Sequence, residues 1–138
     1  MFTGALFSIA LIACTKAEPD DRPELRKIVS QDVRASQAMH AADEAAAKGD
    51  ATKALAVLDS EAKPAIEEGL RLATSAKIET EWGKTKRDQI QKVLVDRKNE
   101  LPRYTEAVKN NDAEKLLSAI EAQAAIERRA LVAVAGIN

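Results

Sequence analysis

Few side chains in this 138-residue chain could do chemistry, and they do not gather into a recognisable set. There is one cysteine, Cys14, and one histidine, His40, which follows Met39. A haem iron can be held between a histidine and a methionine in a helical bundle. Neighbouring residues on a helix, however, point about 100° apart, so this pair cannot share one metal. No Cys-x-x-Cys-His attachment sequence is present, and di-iron bundles need Glu-x-x-His on two helices, which a single histidine cannot supply. Adjacent or near-adjacent carboxylates occur at Asp43-Glu44, Glu67-Glu68 and Glu79/Glu81. Such pairs are common on any charged helix and read as solvated faces rather than as acid–base machinery. Neither a glycine-rich phosphate loop nor a Gly-x-Ser-x-Gly elbow occurs. The reading is of a protein that is not an enzyme and that needs no cofactor and no metal.

Charge narrows the partners. Lys and Arg number 21 against 22 Asp and Glu, and the local pairs Arg26-Lys27, Lys84/Lys86-Arg87 and Arg128-Arg129 are diluted by nearby carboxylates. A nucleic-acid binder normally carries a basic stripe, so none is expected as a ligand. Trp82 and Tyr104 are the only aromatics after residue 14, too few for a pocket that stacks a planar ligand. Trp82, beside Gly83, reads as a core plug near a turn in preference to an exposed anchor.

Cys14 gains meaning from what surrounds it. The uncharged apolar run Ala5-Leu6-Phe7-Ser8-Ile9-Ala10 leads into Leu11-Ile12-Ala13-Cys14, and the charged, proline-marked segment from Thr15 to Pro23 follows. An apolar run this short cannot cross a bilayer but suits the hydrophobic region of a secretory signal. The sequence Leu11-Ile12-Ala13-Cys14 resembles the lipobox of bacterial lipoprotein precursors. It departs from that pattern in having no Lys or Arg before the apolar run. The resemblance implies a signal peptide over residues 1–13, with Leu11, Ile12 and Ala13 recognised by the signal peptidase. Cys14 would be lipidated, and residues 14–22 would be a short linker. Thr15, where Asp often marks inner-membrane retention, implies the outer membrane, facing the periplasm. Two or three acyl chains would make a firm membrane anchor. A lipidated cysteine also leaves no disulfide, so the domain must be held by packing.

The remainder, 23–138, has the make-up of amphipathic helices: 46% hydrophobic residues, 31% charged, 5 Gly and 4 Pro. No alternating run suggests a strand. The first helix starts at Pro23 and carries Leu25, Ile28, Val29, Val33, Met39, Ala42 and Ala46 inward. It stops at Lys48-Gly49-Asp50, where the glycine can turn left-handed and the aspartate caps the next helix. The second helix runs from Ala51 with Pro64 inside it, where a kink is favoured over a break. Its end is open between a turn at Thr74-Ser75 and a cap at Gly83. A third helix carries Ile90, Val93, Leu94, Leu101, Tyr104 and Val108 and is bent at Pro102. Asn110-Asn111-Asp112 turns the chain, with Asn111 and Glu114 as a capping box, into a fourth helix bearing Ala113, Leu117, Ile120, Ala124, Leu131 and Val134. The apolar end 130–137 is read as buried in preference to self-associating.

Residues 44–62 set against 106–124 give seven identities in nineteen positions, including Asp50/Asp112, Lys53/Lys115 and Leu55/Leu117. The fold class is therefore all-α: an antiparallel up-down four-helix bundle made of two similar helical hairpins, preceded by a signal segment. The function expected is a lipid-anchored cell-envelope protein, a non-catalytic structural or protein-interaction module. It would hold the membrane through the lipid on Cys14 and meet an envelope protein partner. A haem- or small-ligand-binding bundle is the alternative.

Overall fold

Leu25, Ile28, Asp32, Ala35, Met39 and Ala42 recur at alternating steps of three and four, and all are buried. Helix α1 (Arg22–Ala47) therefore turns one narrow stripe inward. The stripe passes through Asp32 and leaves Val33 46% exposed, so Val33 is not the core residue expected of it. The computed structural model describes residues 17–138; the signal segment expected over 1–13 and the residues Leu11, Ile12, Ala13 and Cys14 lie outside the described residues.

After α1 come α2 (Ala51–Val57), a π turn (Leu58–Ala62), α3 (Lys63–Ser75), α4 (Glu81–Lys109) and α5 (Ala113–Val134), with no strand among the described residues. From α2 through α3 the backbone stays helical, so this is one rod and four helices pack together. Pro64 does not break it. Proline at 64 cannot bond the Ser60 carbonyl, and the chain answers with a π turn directly upstream. Pro102 likewise lies within an unbroken α4.

The two tight turns have the same geometry. The Asp50 N–H donates to the Ala45 carbonyl at 2.9 Å, and the Asp112 N–H donates to Ala107 at 3.0 Å. The left-handed position is Gly49 (φ 77°) in one and Asn111 (φ 51°) in the other. Each aspartate then accepts from a backbone N–H three residues on, Lys53 at 2.9 Å and Lys115 at 3.0 Å. Asp112 is thus the cap of α5, in place of the box between Asn111 and Glu114. Asn tolerates the left-handed region better than other residues with a Cβ, which is why it can stand where glycine does.

The second rod ends at Ser75, and Thr80 opens α4 by accepting the Gly83 N–H at 2.9 Å. Gly83 is therefore in a first turn rather than at a helix end. A Cβ there would collide with the Asp21 carboxylate and lie 2.7 Å from Ile78, so the close approach requires glycine.

Inside, two large apolar clusters divide the length of the bundle, beside a small third of Ala35, Ala65 and Ile66. One joins Leu25, Ile28, Ile90, Leu94, Ile126 and Ile137. The other, rich in alanine, joins Ala38, Met39, Ala42, Ala54, Leu58, Tyr104 and Ala119. Helix α5 lies mainly on α4 and touches α1 lightly. Its buried stripe is Ala119, Gln123, Ile126, Ala130 and Ala133, which leaves Leu117 59% and Leu131 72% exposed, contrary to the expected phase. The apolar chain end is divided: Ala133 and Ile137 are buried, whereas Val132 is 67% exposed.

Candidate functional site

Between the two apolar clusters sits a polar layer. On α1 Asp32 falls between Ile28 and Ala35, on α4 Arg97 falls between Leu94 and Tyr104, and on α5 Gln123 falls between Ala119 and Ile126. All three are buried, Arg97 to 1% exposure. Arg97 Nε donates to Asp32 Oδ1 at 2.7 Å and Nη2 to Oδ2 at 3.5 Å, while Nη1 reaches Gln123 Oε1 at 3.4 Å. The Gln123 amide nitrogen has no protein partner. A buried pair of this kind adds little net stability, because desolvation offsets the attraction; it does penalise any register in which either charge is left alone.

The polar line continues along α1 at helical spacing. Ser36 Oγ donates to Glu127 Oε1 at 2.8 Å, and His40 Nε2 lies 3.0 Å from the same oxygen. Farther on, the buried Tyr104 hydroxyl donates to Asp43. Burial pushes the Asp43 carboxyl above its usual range, against the Tyr104 bond and nearby His40, and Glu127 adds to the rise. Burial, then the bond and charge of Asp43, push the Tyr104 phenol far above its ordinary value. Ser36 and His40 thus join α1 to α5 through Glu127, and Asp43 joins α1 to α4 through Tyr104. Ser36 and His40 share one acceptor and do not bond each other, so the arrangement is not a nucleophile with its base.

A second feature is a groove of about 630 Å³ between the α2–α3 rod and α4. Leu55, Leu58, Ile66, Leu101 and Pro102 line it, and Lys63, Glu67, Lys98 and Glu106 stand along it. It lies where both walls are irregular, at the π turn on one side and Pro102 on the other. Such irregularities stop two helices closing face to face.

A third is the end where the described chain begins. Residues 17–20 are exposed and without helix, and Asp21 then locks the chain down. Its carboxylate accepts from the Glu79 N–H at 3.0 Å, the Thr80 N–H at 2.9 Å and Thr80 Oγ1 at 2.6 Å. Burial alone would raise this carboxyl; the bonds from Thr80 and Glu79, with Lys84 nearby, outweigh it and hold it below the usual range. Arg22 and Arg26 donate to the carbonyls of Gly136 (3.2 Å) and Ile137 (3.1 Å), which ties the start of α1 to the chain end.

His40 points outward with its side chain 61% exposed, whereas Met39 is buried, so the two diverge as their adjacency requires. The carboxylate pairs are scattered: Glu68 bonds Arg71, Glu81 bonds Lys84, and Asp43 meets Tyr104. No group of three or more His, Cys, Asp or Glu among the described residues could hold a metal ion. Trp82 is not a core plug; it is 41% exposed, with the Arg22 guanidinium 5.5 Å from its ring centre. The polar layer escaped the sequence reading, though the signal was there: Asp32 falls on the three-four stripe and Val33 does not. No protein-family model, no curated protein and no solved structure matches this chain.

Proposed function

We propose that this chain is a lipid-anchored protein of the cell envelope, with Cys14 carrying the lipid after cleavage behind Leu11-Ile12-Ala13. Its helical domain is then a non-catalytic interaction module on the periplasmic face of the outer membrane. The four helices run alternately up and down as two related hairpins, a reading supported by the matching turns at Gly49-Asp50 and Asn111-Asp112. The observation that carries the tethered reading is the fastening of Asp21 to Thr80 directly after the exposed residues 17–20. A pull on the N-terminal segment is borne by α4 as well as by α1. Asp21 lies seven steps along the chain from Cys14, a reach of at most roughly 25 Å, so the domain stays close to the bilayer. The balanced charge and the side groove suit a protein partner better than nucleic acid.

The test is the mass and location of the mature protein. An N-terminal peptide starting at Cys14 with added acyl mass, and release of Cys14→Ser from the membrane fraction, are the expected results. A mature chain starting elsewhere without acyl mass overturns the proposal. Density separation of the membranes decides between outer and inner.

The groove favours a second reading, a bundle that binds a small apolar ligand. Its volume lies within the range of ligand pockets. No His, Met or Cys lines it, so haem has no customary axial ligand there. Enhanced fluorescence of an anilinonaphthalene sulfonate probe, abolished by Leu101→Trp, is what this reading predicts; a probe signal indifferent to that change counts against it.

A further inference from the structure

The two exposed apolar residues near the end of α5, Leu131 at 72% and Val132 at 67%, lie beside the start of α4. Lys86 Nζ bonds the Val132 carbonyl at 3.2 Å, and Trp82 is one turn before Lys86. Trp82 is itself 41% exposed, under the Arg22 guanidinium at 5.5 Å, and a Cβ on Gly136 would lie 3.7 Å from its ring. This end of the molecule therefore carries Trp82 under Arg22 at the start of α4 and the exposed Leu131 and Val132 on the last turns of α5, close to where residue 22 enters the bundle. The opposite end, with Gly49 and Asn111, is about 39 Å away along α1 at 1.5 Å per residue.

We propose that this end is a membrane-resting surface, with Trp82, Leu131 and Val132 set into the interfacial layer of a lipid bilayer; the inference rests on the lipid anchor at Cys14. The occupant follows from where the chain leaves the bundle: residue 22 touches Trp82, and the linker holds this end within its reach of the bilayer. Tryptophan favours the headgroup region because its ring is apolar and its N–H polar. Arg22, Lys84 and Arg128 can meet lipid phosphates, while Glu81 and Asp20 keep the net attraction small. Three apolar side chains would hold a free protein weakly. A tether raises the local concentration of membrane so far that weak contact suffices. Among the described residues no helix is long and apolar enough to cross a membrane, so the contact is one of resting and not of insertion.

Trp82 is the single tryptophan of the chain and reports on the contact directly. The full-length protein, purified from membranes with its acyl mass verified, is reconstituted into phosphatidylethanolamine–phosphatidylglycerol vesicles carrying brominated acyl chains. Quenching and a blue shift of Trp82 emission are expected, and Leu131→Ser/Val132→Ser should lose most of both. Leu117→Ser, at another exposed leucine nearer the opposite end, should change neither. Lipidated protein whose Trp82 is not quenched, or is quenched equally in the double variant, overturns the inference and leaves the anchor standing. Absence of acyl mass at Cys14 overturns both. A crosslinked dimer through this end with unquenched Trp82 also overturns it, because a second copy would then be the occupant.

Discussion

Arg97 is the side chain on which the interior most depends. Its buried guanidinium finds its counter-ion 65 residues away on α1. Arg97→Met leaves Asp32 buried and alone, and should cost about 3–5 kcal/mol in urea unfolding; adding Asp32→Leu should recover much of that loss. Two carboxylates pull the pH profile in opposite directions. Asp21 is held below 3.8, so its contribution is present above that pH and is lost as the pH falls through its folded value. Asp43 is raised above 3.8, so its contribution is complete below that pH and is lost as the pH rises through its folded value. Asp43→Asn should therefore gain on the unmodified protein as the pH rises from 3.8 through the folded value of Asp43, whereas Asp21→Asn should lose most above 3.8 and converge as the pH falls through the folded value of Asp21. Urea midpoints across that range check both signs. Tyr104→Phe removes the donor to a half-buried carboxylate and should cost about 1–2 kcal/mol.

At the level of elements, the turns were the most legible feature of the sequence. Gly49-Asp50 carries its own chemistry, and Asn111-Asp112 repeats it. Their equivalence makes a prediction of opposite sign at matched positions. Gly49→Ala puts a Cβ in the left-handed region and should cost about 1 kcal/mol, whereas Asn111→Gly should be neutral or gain a few tenths. Thermal midpoints measure both. The inward faces were less legible, because large apolar side chains were given more weight than the three-four interval. Val33, Leu117 and Leu131 attracted attention through their type, while Asp32 and Gln123 held the inward positions by phase. Alanine made matters worse: Ala35, Ala38, Ala119 and Ala133 are buried but announce no face. The end of the second rod was left between Thr74-Ser75 and Gly83 because glycine serves both as a cap and as room for a neighbour. Only the approach of Asp21 tells the two apart.

For the whole molecule, residues 5–23 carry the pattern of the proposed anchor and the remainder that of the helical domain, and the two meet at Asp21. If Cys14 carries the proposed lipid, Cys14→Ser should give a released protein whose helical content and melting match those of the anchored one, since the buried clusters are built from residues of the helices alone. Circular dichroism of the released and anchored forms compares them; a large loss of helix on release would mean that the membrane is part of the fold. Finally, the fully buried Ile137 has a practical result. Ile137 is seated between the exposed Gly136 and Asn138, so an affinity handle joined after Asn138 starts in solvent but pulls directly on a packed side chain. The tip of the Gly49 turn, open on all sides, is the place to display a label or a fused domain without loosening the base.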